Sequence, residues 1–176
     1  MHGLQIWVAL PKHLEQMDAE FYHINKEQIP TWSQGALNFK LIAGEAFNRK
    51  STVPVYSKLF MIEIHSNSKE VVKIGEDLYG ESGLYILEGS IESGEHTYEA
   101  HHLLIANDTK LCEFTINAGS TIYIFGGEPF PEERYIDWNF VSSDKSLIEQ
   151  AKNKWINRQF GDIRGEEEDF IPYPTR

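Results

Sequence analysis

The sequence predicts an all-β domain, an antiparallel sandwich or barrel, followed by a single C-terminal α-helix. Between residues 81 and 106, short apolar runs alternate with glycine-containing turns at a spacing of about ten residues. Residues 56–65 alternate between two faces, as in a strand with one side buried. Apolar residues at helical spacing appear only after residue 143. These patterns place the strands first along the chain and the helix last.

Length and composition indicate one ordinary domain, or one domain with an appendage. A chain of 176 residues with 41% hydrophobic and 12% aromatic residues can bury a core without disulfides or metal. The net charge of −11 argues against direct binding of nucleic acid and of anionic membrane surfaces, because both repel an acidic protein. Cys112 is the only cysteine, so we expect no intramolecular disulfide and a reducing, cytoplasmic location. No apolar run approaches the roughly 20 residues that span a bilayer, and no signal peptide is recognisable.

The first predicted strand runs from Leu4 to Leu10 and is closed by Pro11. Residues 13–29 offer it no local partner, since they mix polar and aromatic residues without a firm period. We interpret them as a loop with a short strand at residues 21–24. An unpaired strand exposes backbone donors and acceptors, so we expect the segment from Leu4 to Leu10 to pair with a distant segment or another chain.

The other strands are predicted from alternation and from the turns that separate them. In the clearest of them, Phe60, Ile62 and Ile64 share one face. The remaining strands are expected at residues 37–43, 70–74, 84–88, 98–105, 111–116 and 121–125.

The helix is predicted over residues 144–159. Ser143 or Asp144 can serve as its N-cap, and Gly161 is a suitable stop. Beyond it, we expect residues 170–172 to fold back onto the barrel.

Several short phrases occur in an order and spacing typical of one family. They are Gly3-Leu4-Gln5-Ile6-Trp7-Val8 with Leu10-Pro11, Leu41-Ile42-Ala43-Gly44-Glu45, Tyr85-Ile86-Leu87-Glu88-Gly89, Gly127-Glu128-Pro129, Phe160-Gly161 and Ile171-Pro172. In this order they resemble the pirin family of bicupins over nearly the whole chain. The resemblance implies a cupin-type barrel, a double-stranded β-helix or small jelly roll, with a C-terminal α-helix.

The resemblance also implies that half of a pirin is missing from this sequence. A full-length pirin has two cupin barrels, and the first holds an iron-type site of three histidines and one glutamate, where the quercetin dioxygenase activity of the family resides. The Gly-Leu-Gln-x-Trp-Val phrase lies just after that site in the family, and here it stands at residues 3–8. We therefore expect residues 1–30 to resemble the end of the first barrel. Residues 31–176 would form the second barrel with its helix and tail.

The sequence offers little for a metal site of its own. When residues 75–89 are laid against the metal-bearing strand of the family, the His-x-His positions fall on Gly75 and Asp77, and no histidine follows His102. Imidazole and carboxylate are the ligands that suit non-haem iron. The remaining candidate ligands are Glu63, His65, His96 and His101. We interpret the first two as a solvated surface pair and the last two as part of a polar barrel rim.

Other kinds of site have less support. Cys112 falls in a predicted strand, where a lone cysteine is more often a buried small hydrophobe than a reactive thiolate. Residues 126–129 lack the lysine and the following helix of a phosphate-binding loop, so we interpret them as a turn. A metal-free pocket for a small acid or sugar inside the barrel is an alternative, with Tyr85, Tyr98 and Tyr123 as lining candidates. The simpler interpretation is that these tyrosines pack in the core or the rim.

The function predicted from these observations is that of a pirin-like, non-catalytic binding or interaction module with no cofactor of its own. The alternative is a metal-dependent oxidoreductase of the quercetin 2,3-dioxygenase type, which requires iron or another divalent metal. The strand from Leu4 to Leu10 is expected to pair with a second copy or with a separately supplied first barrel. No direct contact with nucleic acid or membrane is expected.

Overall fold

The fold is built from antiparallel strands, with one α-helix near the C-terminus. The computed structural model describes residues 3–74, 78–106, 113–161, 165 and 169–174. The strands are β1 (Thr31–Gln34), β2 (Leu37–Ala46), β3 (Arg49–Lys50), β4 (Leu59–Ser66), β5 (Glu70–Lys73), β6 (Glu81–Glu88), β7 (Ser90–Ser93), β8 (His96–Glu99), β9 (Leu103–Ala106), β10 (Glu113–Ile116), β11 (Thr121–Gly127), β12 (Tyr135–Asp137) and β13 (Phe140–Ser142). The helix α1 (Lys145–Ile156) follows, and short 3-10 turns form at Lys12–Leu14 and Lys26–Gln28. In the described ranges, no helix is long and apolar enough to cross a membrane.

Two sheets share one hydrophobic core. The larger sheet has the order β1-β2-β4-β11-β6-β9, with β3 added beside β2, and the smaller has the order β5-β10-β7-β8. The core side chains alternate along these strands, as Phe60, Ile62 and Ile64 do on β4 and Phe114 and Ile116 do on β10. Alternation buries one face of each sheet against the other. The prediction of an all-β fold with a C-terminal helix is confirmed.

The chain divides into two compact units. Ala19–Pro129 contains both sheets, and we call it the sheet unit. Met1–Asp18 and Phe130–Arg176 form the second, the terminal unit, which holds the β12–β13 hairpin and α1. The assignment of residues 1–30 to the end of a first barrel stays a prediction.

The predicted strand from Leu4 to Leu10 is wrong. Residues 3–10 form no ladder with any described strand, and the short strand predicted at residues 21–24 is also absent from the described sheets. Both segments carry apolar or aromatic residues that suit a strand. A strand also needs a neighbour that offers free backbone groups, and local sequence does not reveal that neighbour.

Other boundaries differ from the predicted ones. The continuous strand predicted at 98–105 is two strands in different sheets, because the chain turns at Ala100 and His101, where His101 has φ of 69°. The β12–β13 hairpin and the short strands β1 and β3 are additions that the sequence does not predict. Helix α1 is capped by Asp144, as predicted, but it ends at Ile156, before Gly161.

The tail packs on the helix. The rings of Phe170 and Trp155 stack 5.7 Å apart, and Trp155 Nε1 donates a hydrogen bond to the carbonyl of Ile171 at 2.8 Å. The sequence predicts that residues 170–172 fold back onto the barrel, whereas the contacts that the structure gives for them are with α1 of the terminal unit.

Glycine allows strands of the larger sheet to approach closely at one end. Gly44 of β2 has φ of +73°, and a Cβ there would lie 1.7 Å from the carbonyl oxygen of Leu59. Gly126 of β11 is similarly close, with 2.0 Å from a Cβ to the carbonyl oxygen of Glu81. Only a residue without a side chain fits such a backbone contact. Glycine is therefore needed where β2 meets β4 and where β11 meets β6 at this end of the sheet.

Candidate functional site

The space between the two sheets is filled with apolar side chains. Leu41, Ile62, Leu84, Ile86 and Ile122 are fully buried there, at 0% exposure. By the exposure of the whole residue, the buried polar residues that the structure describes are serines: Ser51, Ser66, Ser82, Ser120 and Ser142. A core of this kind supplies packing and offers neither imidazole nor carboxylate for a metal ion.

An aromatic pair packs at the end of the larger sheet that contains Gly44 and Gly126. The rings of Phe60 and Tyr79 meet edge to face with centroids 5.3 Å apart. The Tyr79 hydroxyl donates to the carbonyl oxygen of Leu59 at 2.8 Å. Burial is the largest cause that raises the pKa of Tyr79, and the nearby carboxylates of Glu45 and Glu128 add to it. The phenol is therefore neutral and serves as a fixed hydrogen-bond donor.

Glu63 lies on the face of β4 that points away from the core, in the middle of a cross-strand row. Its Oε1 is 2.7 Å from the Lys40 ammonium, and its Oε2 accepts a hydrogen bond of 2.7 Å from the Tyr123 hydroxyl. Strand register places Lys40 and Tyr123 directly opposite Glu63 on its two neighbours. Burial first, and then the bond to Glu63, raises the pKa of Tyr123. Both carboxylate oxygens of Glu63 are thus engaged in holding strands together.

His65 has a similar cross-strand partner. Its Nδ1 lies 3.0 Å from Thr121 Oγ1 on β11. Glu63 and His65 share a strand face, as their spacing predicted, but each is paired with a different neighbour. Sequence reasoning missed Lys40 as the partner of Glu63, and the only available signal was the alternation of residues 37–43.

Of the other candidate histidines, His101 lies with His102 in the turn between β8 and β9, and His96 begins β8 at the opposite end of that strand. His101 Nδ1 is 3.3 Å from the Tyr85 hydroxyl, and His102 Nδ1 is 2.9 Å from the carbonyl oxygen of Glu99. The rings of His96 and Tyr98 are 6.2 Å apart. These side chains therefore pair with their neighbours.

The three candidate tyrosines do not converge. Tyr98 packs against the hydrophobic core, whereas Tyr85 and Tyr123 are register partners on the opposite face of the larger sheet. Gly75, Asp77 and Cys112 lie outside the described residues.

An iron-type centre does not fit the described side chains. Over residues 3–74, 78–106, 113–161, 165 and 169–174, no three or more His, Cys, Asp or Glu residues are grouped to hold a metal ion. The two carboxylate oxygens of Glu63 already bind Lys40 and Tyr123. Iron would have to compete with an ion pair and a short hydrogen bond for that carboxylate.

The terminal unit presents an exposed apolar segment. We call residues 3–10 the N-terminal segment. Leu4, Ile6, Trp7 and Val8 are all exposed, Trp7 and Val8 at 56%. Arg134 Nη2 donates to the carbonyl oxygen of Leu10 at 3.0 Å, which fixes the end of the segment. The segment is thus attached at one end while its apolar side chains face outward.

The Glu15 carboxylate, whose side chain is buried, links several residues of the terminal unit. The side chains of Glu15 and Arg134 are 8% and 12% exposed, and Glu15 Oε1 lies 3.2 Å from Arg134 Nε as an ion pair rather than a hydrogen bond. Glu15 Oε2 accepts from the Ser142 hydroxyl at 2.7 Å, and Oε1 accepts from the Ser143 amide at 2.8 Å. Burial alone would raise the pKa of Glu15. The bonds from Ser142 and Ser143 together with the charge of Arg134 outweigh burial and lower that pKa.

A family model matches more than half of the chain. Residues 61–161 match the family model of the pirin C-terminal cupin domain. The chain belongs to the pirin family. The matched region begins within β4 and extends through β13 and α1. The resemblance carried by the short phrases is confirmed, and the fold is that of a cupin barrel.

Several pirin relatives are longer than this chain. A pirin-like protein of Caulobacter vibrioides is 38% identical over 176 residues, which are 99% of this chain and 60% of the relative. Human pirin is 25% identical over 170 residues, covering 91% of this chain and 57% of the human protein. The chain thus spans about three-fifths of the length of these curated relatives.

A solved structure of similar fold also matches this chain over only part of its own length. The crystal structure of a quercetin 2,3-dioxygenase from Acinetobacter baumannii superposes with a TM-score of 0.85 at 26% identity. The match covers 97% of this chain and 57% of the dioxygenase chain. This likeness agrees with the cupin-type barrel that the sequence predicts for the chain.

Proposed function

We propose that this pirin-family chain is a non-catalytic cupin module that binds a protein partner. The observation that carries the proposal is the filling of the barrel. The side chains between the sheets are apolar and fully buried, with Leu41 and Ile62 at 0% exposure. A catalytic cupin needs a cavity with metal ligands at that place.

The side chains considered from the sequence as metal ligands support the same interpretation. Glu63 is bound on both oxygens, and His65 and His101 are each paired with a hydroxyl. These contacts join neighbouring strands or fix a turn. They are what a scaffold uses to hold its sheet in register.

The partner that we propose is a second cupin-type barrel, and the docking surface is the N-terminal segment. The segment is apolar, exposed and free of any ladder with the described strands. The match covers 60% of the Caulobacter vibrioides relative, and the rest of that protein is long enough for another barrel. A second copy is the less favourable occupant, because two molecules of net charge −11 repel each other.

Metal analysis and turnover test the absence of catalysis. Purified chain, supplied with ferrous iron and then desalted, is expected to retain far less than one metal ion per chain and to leave quercetin unchanged. Stoichiometric metal that is lost in a His96→Ala, His101→Ala double variant, or metal-dependent consumption of quercetin, would overturn the proposal in favour of an oxidoreductase of the quercetin 2,3-dioxygenase type.

Co-purification tests the partner. The chain is co-expressed with a tagged segment of the Caulobacter vibrioides relative that has no counterpart in these residues. We expect a one-to-one complex by size-exclusion chromatography with light scattering. Trp7→Glu should reduce the recovered complex at least about tenfold, because it puts a charge into an apolar contact.

The matched control is Phe21→Glu. Phe21 is an exposed aromatic residue at 90% exposure, and it lies outside the N-terminal segment. This variant should bind as the unchanged chain does. Equal loss in both variants, no complex, or a stable homodimer of the chain alone contradicts the proposed docking surface.

A further inference from the structure

A cavity lies beside the β2–β3 hairpin, at the end of the larger sheet that contains Gly44. Its volume is about 350 Å³, and it is lined by Glu45, Ala46, Phe47, Asn48, Arg49, Lys50 and Tyr79. This volume falls in the range of small-molecule sites, about 300–1,000 Å³. Ala46, Phe47 and Tyr79 also pack in or against the hydrophobic core, and none of the side chains considered above as metal ligands lines the cavity.

Arg49 lies at this cavity over a cluster of aromatic rings. Its guanidinium carbon lies 4.7 Å from the centroid of the Trp32 ring. The Trp32 ring in turn stacks on Phe39 at 5.0 Å and contacts Phe47 at 5.6 Å. Stacking orients the planar guanidinium and leaves its edge N–H groups free to donate. Within the described residues, those groups have no hydrogen-bond or ion-pair partner.

The turn that carries Arg49 is strained. Phe47 and Asn48 have φ of 51° and 54°, and they connect the pairs Glu45–Lys50 and Ala46–Arg49 of the hairpin. Positive φ at both central residues matches a two-residue type I′ turn, which favours asparagine and glycine. A bulky aromatic residue such as Phe47 is rarely found in this conformation, and such strain concentrates at binding sites. Its ring is kept there by contacts with Trp32 and Phe39.

The charges around the cavity select a monoanion. Lys50 Nζ lies 2.7 Å from Glu45 Oε1, so those two side chains neutralise each other. Arg49 remains as one uncompensated positive charge at the rim. The planar fork of a guanidinium matches the two oxygens of a carboxylate. Ala46, Phe47 and the ring of Tyr79 give the cavity an apolar wall beside this charge.

We propose that this cavity binds a small monocarboxylate with an apolar or aromatic body, with the carboxylate on Arg49 and the body against Phe47 and Tyr79. The proposal deepens the binding role proposed above and rests on its non-catalytic character. It does not involve the N-terminal segment, so capture of a partner and binding of a carboxylate succeed or fail separately.

Titration with sodium benzoate tests the site by nuclear magnetic resonance of the full chain. We expect saturable shifts of the backbone amides of Asn48 and Arg49. Benzamide, which has the same body without the charge, should bind at least about tenfold more weakly, and acetate, which lacks the body, should also bind more weakly. Tighter binding of inorganic phosphate than of benzoate would overturn the choice of a carboxylate.

Substitution of the arginine completes the experiment. Arg49→Gln should lower the affinity for benzoate at least about tenfold. The affinity of Arg49→Lys should lie between those of the unchanged chain and Arg49→Gln, because lysine keeps the positive charge and lacks the planar guanidinium. Arg158→Gln is the matched control, since Arg158 also lies over an aromatic ring, at 4.3 Å from the Phe170 centroid, and does not line this cavity. An unchanged thermal midpoint shows that each variant is folded.

Two results would overturn the site. The first is the absence of saturable shifts in the unchanged chain. The second is benzoate affinity that stays the same in Arg49→Gln, or that falls equally in Arg158→Gln. Metal content and quercetin turnover are measured in separate samples, so catalysis by the chain would be recognised independently of either result.

Discussion

The carboxylate of Glu15 is held in its charged form by the groups around it. It is almost fully buried and receives hydrogen bonds from Ser142 and Ser143, with Arg134 beside it. These contacts link a residue near the N-terminus to the β12–β13 hairpin, more than 120 positions away. The lowered pKa of Glu15 is the signature of that arrangement.

The pH dependence of the terminal unit follows from Glu15. Its folded pKa lies below the ordinary 4.5, so its contribution to stability is complete above that pH and is lost as the pH falls toward the folded pKa. Glu15→Gln should lower the free energy of unfolding by about 2 kcal/mol at pH 7 and weaken the acid dependence. Urea unfolding, followed by tryptophan fluorescence, measures the free energy of unfolding and its pH dependence. The range from about pH 3 to pH 7 lies on either side of the ordinary carboxyl pKa. An acid dependence identical to that of the unchanged chain would contradict this.

Residue roles were only partly predictable from the sequence. Alternation placed Glu63 and His65 on one face correctly. The contact of Glu63 with Lys40 depends on the register between β2 and β4, which joins residues 23 positions apart. Sequence periodicity gives the face of a side chain and does not give its partner on another strand.

At the scale of the element, β2 depends on Gly44. The backbone of β4 occupies the space that a side chain at this position would need, since a Cβ on residue 44 would lie 1.7 Å from the carbonyl oxygen of Leu59. The bulge between Leu41 and Ala43 shifts the register just before this contact. A bulge followed by a glycine bends the strand, which lets the hairpin with Arg49 lie beside Tyr79.

Gly44→Ala should therefore destabilise the protein by about 3 kcal/mol, the sum of a backbone clash and the left-handed φ of +73°. Gly94→Ala is the matched control, because Gly94 also has positive φ, +59°, but a Cβ there meets nothing within 4 Å. We expect about 1–2 kcal/mol for the control. Equilibrium urea unfolding compares the two, and an equal loss would show that crowding at Gly44 carries no cost.

The secondary-structure elements differ in how well they can be predicted from the sequence. The long strands β2, β4, β6 and β11 and the cap of α1 were predicted because alternation and capping chemistry are local. Strands β12 and β13 have three residues each, too few to show a period. The segment from Leu4 to Leu10 looks like a strand in sequence and lacks a neighbour among the described strands, which no local pattern reveals.

At the scale of the whole molecule, the sheet unit is a cupin barrel whose centre is filled with packed apolar side chains. The all-β class, the family and the C-terminal helix followed from the sequence, because they rest on patterns spread over the chain. The cavity beside Arg49 did not, because it requires Tyr79 to lie against the β2–β3 hairpin and Trp32 to lie under Arg49, and these residues are far apart in the sequence. Sites of this kind depend on tertiary contacts between residues that are unremarkable alone.

The filled centre predicts the effect of removing side chains from it. Leu41→Ala should cost about 3 kcal/mol, since Leu41 is fully buried and its loss leaves a void. Ile105→Ala is the control, because Ile105 is 71% exposed on β9, and its effect should stay within about 0.5 kcal/mol. Thermal and urea unfolding measure both. A neutral Leu41→Ala would mean that the barrel centre is loosely packed.

The distribution of tryptophan between the two units has a practical consequence. Trp7, Trp138 and Trp155 belong to the terminal unit, and Trp32 alone belongs to the sheet unit. Incorporation of 5-fluorotryptophan would give a separate ¹⁹F resonance for each of the 4 indoles. The signal of Trp32 would report melting of the β-sheets and the approach of an anion to Arg49, while the other signals follow the helix and the apolar N-terminus in the same sample.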